Sequence, residues 1–264
     1  MSQSAVQLSY AGWIDEAAAS LEETSPEQII DWALKVFGEG LTIATGFGAE
    51  GMALIDIATK VTRDLNVFFL DTGFLFTETY DLHHRLEDRY QIKIRSYSSE
   101  FSPEEQATAY GEALWARDPD LCCRIRKLEP LKDALADCDA WMTAIRRDQT
   151  DARRDARVVE WDLKWNLVKI NPLVKWSRED VWTYIRANNV PYNPLHDRGY
   201  ASIGCRHCTR PVSAGEDERA GRWAGRIKTE CGLHGPSSGE GKPLRLVSSA
   251  TQGHEPTAAL RMSD

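Results

Sequence analysis

Five cysteines are the residues of this chain whose chemistry folding alone explains least. Cys122 and Cys123 are adjacent in DLCCRIRKLEPL, Cys205 and Cys208 form a CxxC in GYASIGCRHCTRPV, and Cys231 stands apart in KTECGLHG. The two pairs could hold zinc, hold an iron–sulfur cluster, or stay unligated or disulfide-paired. Zinc usually takes ligand pairs from short spacings such as C-x₂–₄-C. Adjacent cysteines splay apart along the backbone, which makes a compact tetrahedron harder to build. A cuboidal cluster has a separate iron corner for each thiolate and tolerates that splay better. Arg124, Arg126 and Lys127 follow the first pair, and Arg206, His207 and Arg210 surround the second. They read either as counter-charge to thiolates or to an anionic substrate, or as solvated surface. Cys138, in LADCDAW, reads as a partly buried structural cysteine.

A second candidate site is the loop TGFGAEG, with glycine at 46, 48 and 51. Glycines between a strand and a helix let backbone amides approach a phosphate or sulfate at the helix N-terminus. The spacing matches neither the dinucleotide nor the Walker pattern, so a tight strand–helix turn also explains the loop alone. Asp71-Thr72-Gly73, at the end of the next predicted strand, would reach the same crevice.

The elements that must position these groups alternate. Ser25-Pro26-Glu27 predicts a helix start, with Ile29, Ile30, Ala33, Leu34 and Phe37 on one face before Gly38 stops it. Strands are predicted at 41–45, 65–70, 91–97 and 140–145, and helices at 49–60, 77–90, from 102 onward, and 126–137. This alternation predicts an α/β fold, a mostly parallel sheet with helices on both faces. Ligands of such sheets bind beyond the carboxyl ends of the strands. After Val158 two strands joined by a turn are expected, then a helix opened by the capping box at Ser177-Arg178-Glu179-Asp180. The expected organisation is a single α/β domain over 1–236 with a helical N-terminal extension at 1–38. Residues 237–264, polar and rich in breakers, are expected to form a disordered tail.

With 264 residues, 42% hydrophobic and 27% charged, the composition is that of a globular protein with a sizeable core. The net charge of −8 argues against broad binding to nucleic acid or anionic lipid. No apolar run approaches the ~20 residues of a membrane span. The first residues show no signal-peptide pattern, so a cytoplasmic setting is expected. There, clustered cysteines point to metal binding or catalysis rather than to a disulfide framework.

CCRIRKLEPL, GCRHCTRPV, ERAGRW and KTECGLH, in that order, resemble the iron–sulfur type of adenylylsulfate (APS) reductase. That group belongs to the phosphoadenylylsulfate (PAPS) reductase family of the adenine nucleotide alpha-hydrolase-like superfamily. The resemblance runs from about Leu41 to His234 and includes TGFGAEG, FLDTGFLFTETY and IRRDQ. It implies that Cys122, Cys123, Cys205 and Cys208 ligate one 4Fe–4S cluster per chain and that Cys231 is the catalytic nucleophile. It also implies thioredoxin or glutaredoxin as electron donor and sulfite and AMP as products. PAPS-specific relatives keep the ECGLH cysteine but lack the other four, so the expected substrate is APS.

By motif position, Lys127, Arg219 and Arg222 fall to the charged end of the substrate. Thr45, Gly46, Phe47, Gly48, Leu70, Asp71, Thr72 and Arg146 fall to its adenosine end. Two positions depart from the family pattern: Ala144 stands where glycine is usual, and Thr45-Gly46 where serines are. Gly232, Gly235 and the polar tail predict a segment that closes and reopens, and His234 is a candidate to tune the thiol. Relatives are often homo-oligomers. The rival readings are a PAPS-preferring or dual-specificity reductase and a non-catalytic, metal-stapled nucleotide-binding regulator. A tRNA-thiolating enzyme of the same superfamily is disfavoured by the acidic charge and the ECGLH motif.

Overall fold

The computed structural model describes residues 3–226, 228 and 230–233; His234, Gly235 and the expected tail at 237–264 lie outside the described residues. Two helices come first, α1 (Gln3–Leu21) and α2 (Pro26–Phe37). The N-cap hydroxyl of Ser25 accepts from the Gln28 N–H while the Gln28 side chain accepts from the Ser25 N–H. That reciprocal box satisfies two amides the helix itself cannot. Gly38 ends the helix with a φ of 51°, a conformation that favours glycine.

Strand and helix then alternate: β1 (Leu41–Thr45), α3 (Ala49–Val61), β2 (Val67–Asp71), α4 (Thr77–Tyr90), β3 (Ile94–Ser98) and α5 (Pro103–Tyr110). Short helical segments follow, α6 (Leu114–Arg117), α7 (Pro119–Cys123) and α8 (Glu129–Ala134). β4 (Ala140–Met142), β5 (Val159–Asp162), β6 (Leu167–Ile170) and α9 (Arg178–Ala187) complete the described elements. The six strands form one sheet in the order β3-β2-β1-β4-β6-β5. All neighbours are parallel except the β5–β6 hairpin. This is the expected α/β fold.

β1 sits in the centre, with Ile43 opposite Val67 of β2 on one side and Met142 of β4 on the other. The chain moves outward through β2 and β3, then returns to place β4 on the far side of β1. A crevice therefore opens at the carboxyl ends of β1 and β4, where the topology switches. The core beneath it includes the fully buried Ile30, Leu54, Ile55, Leu82 and Leu86.

A buried carboxylate ties three helices together. Asp56 of α3 accepts from the hydroxyls of Tyr90 and Tyr184, both at 2.7 Å, and pairs with Lys60 at 2.8 Å. Burial alone would raise its pKa, but Lys60, Tyr184 and Tyr90 together hold it below the usual carboxyl value.

The helix expected at 126–137 is present but starts earlier, ends at Ala134 and carries a π turn. Residues Arg124–Leu128 form a π turn, in which the Glu129 N–H bonds Arg124 O five residues back, and α8 begins only afterwards. Pro130 supplies the reason: it has no N–H for the carbonyl of Arg126, and its ring crowds that carbonyl. Among the described residues no helix is long and apolar enough to cross a membrane.

Candidate active site

A cavity of about 260 Å³ lies at the carboxyl ends of β1, β2 and β4. One wall comes from the strand ends: Thr45, Gly46 and Gly48, then Leu70 and Thr72, then Thr143 and Ala144. The Thr45 hydroxyl accepts from the Phe47 N–H at 3.1 Å and so folds the loop on itself. Gly48 begins α3 with no side chain capping its first amides. Those N–H groups and the helix dipole make this end attractive to an anion.

The opposite wall carries Lys127, Arg153, Arg219, Arg222 and Cys231. Arg222 donates to Ser202 Oγ and to Ile203 O, each at 3.2 Å, and its guanidinium lies 4.6 Å from the Trp223 ring centre. A Cβ at Gly204 would stand 2.3 Å from Arg222 Nη2, so this arginine can lie there only over glycine. Arg219 and Arg153 share one carboxylate oxygen, Glu230 Oε2, at 3.1 and 3.0 Å.

A second, much smaller recess borders the first. It is lined by Cys122, Cys123, Cys205 and Cys208, with Arg126 and Lys127 beside them. Lys127 and Cys205 line both spaces, so the thiol recess and the large cavity share a wall. The adjacent pair ends α7, whose start is fixed by the Asp118 carboxylate accepting from the Leu121 N–H at 2.9 Å. The CxxC forms a 3₁₀ turn in which the Cys208 N–H bonds Cys205 O at 2.9 Å. The Trp223 N–H then bonds Cys208 O at 3.0 Å, linking this turn to the segment that carries Arg219 and Arg222.

The donor set fits a polynuclear group better than a single zinc. Thiolates on one tetrahedral zinc sit ~3.8 Å apart. Among the described residues no three cysteine sulfurs lie within 4.8 Å of one another, and none is in a disulfide. Burial, then the neighbouring thiols Cys123, Cys205 and Cys208, push Cys122 up to about 11. Burial likewise raises Cys123 and Cys208. Buried thiols of this kind ionise readily only against a positive centre.

Cys231 behaves oppositely. It is half-buried, and burial would raise its pKa, but Lys127, the Leu233 N–H and Arg222 outweigh that and leave it below the ordinary thiol value. The thiolates of Cys205, Cys231 and Cys123 in turn raise Lys127 despite its own desolvation. A lowered thiol pKa raises the share of thiolate, the reactive form of cysteine.

Nine of the twelve catalytic and substrate residues named from sequence line the cavity: Thr45, Gly46, Gly48, Leu70, Thr72, Lys127, Arg219, Arg222 and Cys231. Phe47, Asp71 and Arg146 do not. Phe47 is buried against Phe69 with ring centres 5.1 Å apart. Asp71 accepts from the Tyr80 hydroxyl at 2.6 Å. Arg146 is wholly buried among Glu50, Asp148 and Glu218, at 3.1–3.2 Å.

Sequence reasoning missed Arg153, His196 and Glu230. Arg153 sits among three aspartates and four other arginines between Arg146 and Arg157, and nothing in that pattern singles it out. His196 lines the cavity with Nδ1 bonded to Tyr200 O at 2.8 Å and Nε2 buried without a partner. Arg126, read as equally well solvated surface, is buried, donating to Gln106 Oε1 at 2.7 Å and Thr72 O at 3.1 Å. Arg124, Arg206 and Arg210 are exposed, as the surface reading had it. Cys138 is buried, with its thiol on Ala134 O at 3.5 Å.

Comparison with known proteins agrees with this geometry. Residues 40–211 match the phosphoadenosine phosphosulfate reductase domain. An adenosine 5′-phosphosulfate reductase of Halalkalibacterium halodurans is 50% identical over 222 residues, covering 84% of this chain and 96% of that protein. Adenosine 5′-phosphosulfate reductase 2 of Bacillus subtilis is 46% identical, covering 86% and 98%. Among solved structures, a phosphoadenylyl-sulfate (PAPS) reductase from Candida auris superposes with a TM-score of 0.67 at 34% identity, covering 75% of this chain and 96% of that one. The chain belongs to the PAPS/APS reductase family.

Proposed function

We propose that this protein reduces adenosine 5′-phosphosulfate to sulfite and AMP, with Cys231 as nucleophile and a dithiol carrier of the thioredoxin or glutaredoxin type as reductant. One observation carries the reading: Cys231 shares a cavity wall with Lys127, Arg219 and Arg222, and Lys127 and Arg222 depress its pKa. The curated relatives at 46–50% identity bear the name of that activity.

The substrate is a mixed anhydride, so its sulfur is electrophilic and AMP is a competent leaving group. The Cys231 thiolate forms a bond to sulfur as the S–O bond to phosphate breaks, and AMP departs with that electron pair. Lys127, Arg219 and Arg222 neutralise the charge that develops on the departing phosphate and the transferring sulfonate. A carrier thiolate then attacks Cys231 Sγ and sulfite leaves with the electrons of the S–S bond. The second carrier thiol resolves the mixed disulfide, restoring Cys231 and leaving the carrier oxidised. The carrier supplies two electrons, so Cys231 needs no second cysteine from its own chain.

Cys122, Cys123, Cys205 and Cys208 would hold a 4Fe–4S cluster, which when bound supplies a fixed charge and anchors the shared wall rather than relaying electrons. The spread of the sulfurs supports this over zinc, and Arg126 and Lys127 beside the recess would offset the charge of four thiolates with either group. This chemistry suits the reducing interior of the cell. The four thiols also favour adenylylsulfate over its 3′-phosphorylated form, and comparing kcat/KM for the two nucleotides decides that point.

Cys231→Ser tests the whole. Sulfite release with carrier and adenylylsulfate falls at least ~10³-fold, while iron content and the broad absorbance near ~400 nm stay at wild-type level. Full activity in Cys231→Ser overturns the nucleophile, and colourless protein with stoichiometric zinc overturns the cluster.

A further inference from the structure

Cys231 belongs to no helix or strand, so no backbone ladder fixes its position. Its neighbours are nevertheless held. The Gly232 carbonyl accepts from Lys164 Nζ, and the Leu233 carbonyl accepts from Trp165 Nε1 at 3.0 Å. Both donors come from the turn between β5 and β6, a part of the chain remote in sequence.

That turn is built before the segment reaches it. Asp162 Oδ1 accepts from the N–H groups of Lys164 and Trp165 at 3.0 and 3.2 Å, and the Asn166 N–H bonds Asp162 O at 2.7 Å. The Lys164 ammonium lies 5.3 Å from the Trp165 ring centre, which orients both side chains together. Trp165 and Leu233 also pack on the same buried cluster, which includes Leu131 and Trp141. Gly232, which carries the first of the two held carbonyls and directly follows Cys231, has a φ of 81° that favours glycine.

We propose that Lys164 and Trp165 form a clasp that positions Cys231 over the cavity for attack on its substrate. The proposal rests on the reading of Cys231 as nucleophile. Neither residue touches the reacting atoms; each acts through the main chain just after the thiol. Displacement of about 1 Å from an attacking geometry costs on the order of 100-fold in rate. A segment without a ladder of its own needs such outside donors. The clasp must also open, because the carrier has to reach the Cys231 sulfur on the side the cavity covers.

The test uses Lys164→Met and Trp165→Phe, which remove one donor each and keep most of the bulk, together with the double variant. Two rates are read on cluster-loaded protein: AMP release from adenylylsulfate in a single turnover without carrier, and alkylation of Cys231 by iodoacetamide without substrate. A clasp predicts opposite changes. In the double variant AMP release falls about 10- to 100-fold, while Cys231 alkylates several-fold faster. KM and iron absorbance stay near wild type, and Lys164→Arg recovers most of the AMP release.

Wild-type AMP release in the double variant overturns the proposal, and so does a fall in both rates together. If the double variant does not fold, the single variants decide by the same pair of rates. Cys231→Ser separates the two failures. Normal AMP release in that variant overturns the nucleophile, whereas its loss there beside a wild-type rate in the double variant overturns the clasp alone.

Discussion

Two of the places where the protein buries charge treat it differently. Around Asp56 everything is paired: Oδ1 takes the Tyr90 hydroxyl, and Oδ2 takes the Tyr184 hydroxyl and the Lys60 ammonium. Around the cavity the polar groups are incompletely paired. Arg222 Nε, Arg153 Nε and His196 Nε2, all on residues that line it, are buried with no partner. Leaving such groups unmet costs roughly 1–3 kcal/mol each. A fold that closes its account at Asp56 and leaves it open beside Cys231 is poised to receive an anionic ligand there. Charge at Asp56 holds helices together; charge at the cavity is held ready.

The largest break in that comparison comes from the open side. Arg222→Ala removes a cation that faces both the cavity and Cys231, and the space above Gly204 accommodates the smaller side chain. kcat/KM for sulfite formation is expected to fall ~10²- to 10³-fold, the size of effect seen when a transition-state donor is removed. The thermal midpoint is expected to fall far less than activity, because the two hydrogen bonds and the Trp223 contact that are lost are offset by removal of the buried, unpartnered Nε. An equal fall in stability and activity would show that Arg222 belongs with Asp56 rather than with the site.

Asp56→Asn should show the reverse. Asn keeps one acceptor oxygen but removes the charge and the second oxygen, which takes the Tyr184 hydroxyl and the Lys60 ammonium, at a cost of ~1–3 kcal/mol. kcat/KM is expected to stay within about twofold, since the network lies beneath α3 and away from the cavity. The pH dependence follows from the lowered pKa of Asp56. Its stabilisation is fully present above the ordinary carboxyl value and is lost as pH falls through the lower folded value. Unfolding midpoints of the two proteins therefore differ at neutral pH and converge in strong acid.

Much of the open region was legible as sequence because its chemistry is local. Adjacent cysteines, a CxxC, the glycine loop and the ECGLH thiol are each a few residues long, and the alternating strands and helices say which ends they occupy. The closed region was not legible. Asp56, Tyr90 and Tyr184 lie on three helices and meet only through packing, and none stands in a pattern that marks it. Arg146 shows the same limit from the other direction. Its motif marked it for substrate, but Glu50, Asp148 and Glu218 surround it once the chain is folded. The π turn escaped because a single proline, Pro130, overrode an otherwise helical run.

His196 belongs half to each region and gives the smallest and sharpest prediction. Its Nδ1 is closed, donating to Tyr200 O at 2.8 Å, while Nε2 is buried and unpaired on a residue that lines the cavity. With Nδ1 carrying the proton, Nε2 is an acceptor, and it suits a hydroxyl or amino donor on the nucleoside part of the substrate. Burial lowers its pKa, which favours the neutral ring and a contact that carries no charge. His196→Phe keeps a ring against Trp182 but removes the acceptor. A neutral hydrogen bond is worth about 1 kcal/mol, so KM is expected to rise about fivefold with kcat unchanged. The rise should be the same at pH 6.5 and pH 8. A KM effect that grows on acidification would mean that the imidazolium makes the contact, and a loss of kcat would move His196 from binding the nucleoside to the reacting end beside Cys231.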